Sequence, residues 1–421
     1  MSSRLGTALL WILAGLSGVL LLYEAKTLIG FVLLPLLRNP NAIQTDFHYY
    51  YEAAARFSAD RSELYRMSDD VIAGFAYPPP AIVPFLVLAR MPLGAAMLVM
   101  TIASYAAVAA ATSRWLYYLS RSGFDAGLAT RSAILLIVLA AGPTYMNAIF
   151  GQVNAFVLLS AVIFVTMADV APIAAGTALA VGIALKIYPI AAAAVVLWNR
   201  RAARALLWTA IAGIAIVVVL LPVVPLAAYG SFLDVLAARI DKTALHITNQ
   251  SLLGFLERFR VAPELFLNWT GHEAVTVSPL FRVVNTAGLL VAVIALWVRV
   301  KSRENAVAST AALIALIAVI APLGWGHTYV MVLPLVTLQL INMRHARPLT
   351  ATLVFLSVAA LMIPAGRHLP IDGAPGWLEN VIYSRYLIAT VTLTGLTARP
   401  NGRKKERMEV GMSDPPGHYR A

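Results

Sequence analysis

The chain has 421 residues, of which 60% are hydrophobic and only 12% charged; its mean hydropathy is +0.78 and its formal net charge +12. A water-soluble fold carries about 45–50% apolar and about 25% charged residues, so the solvent for most of this chain is lipid. With no cysteine, disulfide frameworks and thiolate metal sites are excluded. The basic excess sits in short clusters between apolar runs, which is the pattern of cytoplasmic loops and argues against a nucleic-acid partner.

Arg4 followed by an apolar run to Tyr23 resembles a signal peptide. No small-x-small cleavage site follows cleanly and many spans come later, so it reads as a retained first helix. Apolar runs of spanning length are predicted near 7–28, 93–114, 131–147, 152–167, 171–185, 187–198, 205–225, 279–298, 306–322, 327–341, 349–364 and 381–397. The stretch Pro78–Met91 is apolar but broken by prolines, and reads as either half a helix or a re-entrant piece packed on protein. The expected fold is all-α: a polytopic bundle of about twelve helices over residues 1–398, followed by a disordered basic tail, 399–421.

Alternating these spans from an inside N-terminus places 18 Lys+Arg against 6 Asp+Glu inside, and 14 of each elsewhere. Charge was not used to place the helices, so this bias is independent support for both termini lying in the cytoplasm. Long segments, roughly 29–92, 226–278 and 365–380, then fall outside. Small inner loops and aromatic-rich outer ones describe a plasma-membrane protein that works at its outer face.

In the first outer segment, TDFHYYYEAAARF (45–57) places Phe47, Tyr50, Tyr51, Ala54 and Phe57 on one helical face, suited to a membrane surface. Asp46 has two compatible readings there: a cap of that helix, and a carboxylate held at the water–lipid boundary. The other outer ends carry GQVN (151–154), LKIYP (185–189), TNQSLLGFLERF (248–259) and PLGWGHTY (322–329). Each has a structural alternative. Lys186 can snorkel to the interface, Asn249 and Gln250 can cap a helix, and Gln152 and Asn154 can bond between helices. His327 can be a satisfied interface histidine, and Arg258 with Arg260 a solvated pair. What favours function is that one topology sends all of them to the same face. Asp69 and Asp70 are adjacent and make a poor metal pair, so no metal and no cofactor is expected.

One carboxylate amid basic and amide groups suits a particular reaction. A glycosidase needs two carboxyls. A sugar phosphate donor leaves as a stable anion, so one base on the acceptor hydroxyl suffices, with Lys, Arg and His at the phosphate. A lipid-linked donor also accounts for the lack of a nucleotide-binding loop.

These motifs in this order, with FAYPPP (75–80), resemble glycosyltransferase family 87 over about residues 45–330. That family has the GT-C architecture and includes polyprenol-phosphate-mannose-dependent mannosyltransferases of actinobacterial lipid glycan synthesis. The resemblance implies inverting transfer of a hexose, in particular mannose, from a polyprenyl-phosphate donor to a lipid or glycan acceptor. It implies Asp46 as general base, with His327 in the catalytic group. Lys186, Gln152, Asn154, Asn249, Gln250, Arg258, Tyr77 and Trp325 would line the substrate site. The rival reading is a secondary transporter with about twelve helices, against which stands the absence of visible internal repeats.

Overall fold

The computed structural model describes residues 2–39, 45–65, 74–267, 274–300, 302–369, 371 and 374–397. Asp69, Asp70 and the tail 399–421 lie outside the described residues. The fold is the expected all-α membrane type, with one departure. Lys242–Ala244 and Ala274–Thr276 pair as a short antiparallel ribbon within the segment 226–278.

Among the described residues, helices 4–38, Leu93–Arg121, Ala202–Leu220 and Pro279–Val298 are each long and apolar enough to span. Leu128–Leu139 and Gly142–Ile149, bent by 48°, make a fifth span if taken as one. The remaining expected spans are shorter apolar helices, including Asn154–Met167, Pro172–Leu185 and Pro348–Met362. The first helix overruns its expected end: after Ser2–Thr27 it widens into a π turn, Leu28–Leu33, and continues to Arg38. Leu93–Arg121 overruns as well, to 29 residues or about 43 Å, longer than an apolar bilayer core of about 30 Å.

The proline-rich stretch packs on protein. Pro79–Ala81 and Ile82–Leu88 bury Pro79, Pro80, Ala81, Ile82 and Phe85. They lie against helix Asp46–Ala59, where Phe85 stacks at 5.2 Å from Tyr50 and 6.2 Å from Phe47. That helix was expected to rest its apolar face on the membrane surface. Instead Phe47, Tyr50, Ala54 and Phe57 are buried against protein, because aromatic partners from 75–85 offer a dry surface and satisfy the tyrosine hydroxyls.

Candidate active site

Three local features bring the polar motifs together. The first is the cap of helix Asp46–Ala59. Thr45, not Asp46, is the N-cap, and it forms a capping box with His48, whose Nδ1 accepts from the Thr45 amide at 3.1 Å. This corrects the capping reading of Asp46: with the cap supplied by its neighbour, its carboxylate is free to point into the site.

The second feature is the turn 150–152. Gly151 sits at φ +64°, a left-handed conformation that L side chains rarely adopt. A Cβ there would lie 2.6 Å from Phe47 Cβ. That close approach lets the Phe47 amide donate to Phe150 O at 3.1 Å, which places Asp46 beside Gln152. The third is the break in LKIYP. Pro189 has no N–H to give Leu185, four residues back, so helix Pro172–Leu185 stops. Lys186 then takes an extended backbone, φ −152° and ψ 141°, and a 3-10 helix follows over Tyr188–Leu197. Lys186 does not snorkel; its ammonium is held by protein groups.

The polar atoms form one oriented network. Gln152 Oε1 accepts from Tyr77 OH at 2.6 Å and Lys186 Nζ at 3.2 Å. Its Nε2 therefore points the other way, donating to Asp46 Oδ2 at 2.5 Å and Tyr50 OH at 2.7 Å. Asn154 repeats the arrangement. Its Oδ1 accepts from Lys186 Nζ at 2.8 Å and Tyr188 OH at 2.5 Å, so its Nδ2 donates to His327 Nδ1 at 2.8 Å. An accepting Nδ1 leaves the proton on Nε2, which faces Asp46 Oδ2 at 3.6 Å. Both amides bond between helices, as one reading of each had it. Lys186 also lies over the Tyr77 ring, 4.9 Å from its centroid. Asp46 Oδ2 is thus occupied. The side chain keeps 36% of its surface exposed, and Oδ1 is the oxygen left for a substrate hydroxyl. Enclosure raises the Asp46 pKa above the ordinary 3.8, against the opposing Gln152 hydrogen bond and Lys186 charge.

Asn249, Gln250 and Arg258 belong to a different network. Asn249 Nδ2 donates to Thr243 Oγ1 and Ala244 O. Gln250 Nε2 donates to Ile247 O and Tyr383 O, and its Oε1 accepts from the Tyr386 amide. The helix after them is capped by Ser251, whose Oγ accepts from Gly254 N at 3.0 Å. Arg258 is no solvated charge: it is 1% exposed. It donates to Asn380 Oδ1, Ser384 Oγ and Asn249 O, each at 2.8 Å. Only Arg260 of that pair is surface-facing, bridged to Glu257 at 2.9 Å. This second network anchors the loop that carries His327. Asn249 bridges to Trp325, Gln250 N donates to Gly324 O, and Gly326 N donates to Thr248 O.

Sequence reasoning missed Tyr50 and Tyr188 as members of the first network. Both stood inside motifs already singled out, but nothing in the spacing distinguishes a hydroxyl that bonds from one that faces lipid.

Comparison with known proteins bears on the class of protein. The glycosyltransferase family 87 model matches residues 75–278, a stretch that holds Tyr77, Gln152, Asn154 and Lys186 but neither Asp46 nor His327. A Mycobacterium tuberculosis (strain ATCC 25618 / H37Rv) protein, polyprenol-phosphate-mannose-dependent alpha-(1-2)-phosphatidylinositol mannoside mannosyltransferase, is 28% identical over an alignment covering 98% of this chain and 97% of that one. That alignment takes in both flanking residues. Between the two readings of the sequence these similarities select the enzyme: the chain is similar to glycosyltransferase family 87 and is a membrane glycosyltransferase.

Proposed function

We propose that the protein transfers a hexose, mannose on the precedent of its mycobacterial relative, from a polyprenyl-phosphate donor to a lipid or glycan acceptor. The reaction takes place at the outer face of the plasma membrane, with inversion. The observation that carries this reading is the Asp46 carboxylate: one oxygen is fixed by Gln152 and faces His327, while the other is open. Six outer-end groups assigned to one face by charge counting also meet in space: Asp46, Tyr77, Gln152, Asn154, Lys186 and His327. That convergence supports the outer-face topology with both termini inside.

In this mechanism Asp46 Oδ1 takes the proton from the acceptor hydroxyl as its oxygen attacks the anomeric carbon, and the sugar–phosphate bond breaks on the opposite face. Gln152 holds Oδ2, with His327 Nε2 facing it, so the carboxylate stays turned towards the hydroxyl. Lys186 has three N–H donors and gives two to the amides; the third is available to the departing phosphate, which needs no protonation. Asn249, Gln250 and Arg258 hold the Trp325–His327 loop in place of touching the donor, and Trp325 borders the substrate.

The test is a product assay on membranes, with polyprenyl-phosphate [14C]mannose as donor and endogenous lipid as acceptor. Asp46→Asn preserves size and leaves the Thr45 cap intact. It is expected to lower the rate on the order of 100- to 10,000-fold with unchanged expression. A rate within a few-fold of wild type would remove Asp46 from the chemistry.

A further inference from the structure

One buried ionisable group has no place in this mechanism. Glu24 lies near the outer end of the first helix, is 1% exposed, and neither carboxylate oxygen has a hydrogen-bond partner. It lies within charge range of Tyr105, Tyr145 and Tyr386, which come from three other helices. More unpartnered polar groups sit on the same elements. The Thr101 and Ser104 hydroxyls are on the helix of Tyr105, with Thr101 one turn before it on the same face. Both amide atoms of Asn147 are unpaired on the helix of Tyr145. Buried polar groups are nearly always bonded, and each exception asks for an explanation. One turn beyond Glu24 the helix widens into its π turn, with Leu34 N donating to Ile29 O, a distortion found mostly at functional sites.

A buried carboxyl kept in its neutral form donates and accepts, as do tyrosine, serine and threonine hydroxyls and an amide. The missing partner must therefore bring several donors and several acceptors at once, which is the chemistry of a polyhydroxylated ring. The location fits. Tyr145, in the first half of helix Gly142–Ile149, lies within charge range of Glu24, and the helix ends in the turn that seats Asp46. Its Met146 Sδ packs at Gly326, beside His327. One eight-residue helix thus has both groups along its length, a span of about 12 Å.

We infer that Glu24, Tyr105 and Tyr145 form a hydroxyl-binding subsite for the head group of the sugar acceptor. It rests on the glycosyl-transfer reading above and holds rings of the acceptor beyond the one whose hydroxyl meets Asp46. A carboxyl kept for binding carries a cost in stability, because its polar atoms are buried without partners in the free protein. Replacing it with an amide of the same size therefore leaves the fold about as stable, while acceptor use suffers.

The experiment uses purified full-length protein in a detergent without sugar, polyprenyl-phosphate mannose as donor and an octyl α-dimannoside, whose second ring extends past the attacking one, as the mannoside acceptor probe. Glu24→Gln is expected to raise the KM for the mannoside about tenfold or more, leave the KM for the donor unchanged and leave the Tm about the same. Direct binding of the tritiated octyl dimannoside, measured without donor, should weaken by the same factor. An acceptor KM and binding constant within twofold of wild type would overturn the inference. So would a parallel rise in both KM values with a lowered Tm, the mark of a structural carboxyl. If wild-type protein binds the mannoside through Glu24 but transfers nothing to any acceptor, the glycosyl-transfer reading fails and the binding site stands.

Discussion

The two polar networks share amides, tyrosines and a cation and differ in saturation. Around Arg258, every side-chain nitrogen donates to a fixed oxygen, and Asn249 and Gln250 are spent on backbone and neighbours. Around Asp46, two amides are locked in orientation, yet Oδ1 stays open and the carboxyl reaches solvent. A saturated network holds a shape; an unsaturated one has capacity for a substrate. Residue type and topology place both on the same face, and only the count of satisfied valences separates them.

Substitutions sharpen that contrast. The largest effect belongs to the chemistry, the expected 100- to 10,000-fold loss of Asp46→Asn. Because burial penalises the ionised carboxyl, this variant should keep or raise its Tm in detergent. Arg258→Met should do the opposite. It strands several buried acceptors and costs on the order of 3 kcal/mol, read as a lower Tm and yield, while the enzyme that survives at low temperature keeps its donor KM. A large rise in donor KM with unchanged Tm would mean that Arg258 meets the phosphate and that the division drawn here is wrong.

Gly151→Ala tests what brings the first network together. A left-handed backbone and a 2.6 Å approach to Phe47 make it strained by about 1–3 kcal/mol. Since the strain falls at the seat of Asp46, kcat should drop more than the Tm suggests. Equal losses in kcat and in folded fraction would reduce Gly151 to a packing residue.

The smallest effect is a pH shift. As the proposed base, Asp46 would need to be ionised, so kcat/KM should fall as pH drops through a pKa raised above the ordinary 3.8. The Lys186 charge lowers that pKa, so Lys186→Met should move the acid limb to higher pH in addition to any loss in donor use. An acid limb that stays put or moves to lower pH would disconnect Lys186 from the carboxylate.

Much of this was legible without coordinates. Apolar runs marked the helices because a chain in lipid must satisfy its backbone internally. Pro189 and the GQVN turn announced the breaks that bring Lys186 and Gln152 inward, and charge counting put Asp46, Gln152, Asn154, Lys186 and His327 on one side. The tertiary structure decided the rest. It gave the cap to Thr45 and turned the face of Phe47 and Tyr50 onto Phe85. It also buried Arg258, made Tyr50 and Tyr188 network members, and left Glu24 without a partner. Helix formation and membrane insertion depend on local composition, which a linear sequence records. The bonding of a polar side chain depends on atoms a hundred residues away, as Gln152 depends on Asp46, and those meet only when the chain has packed.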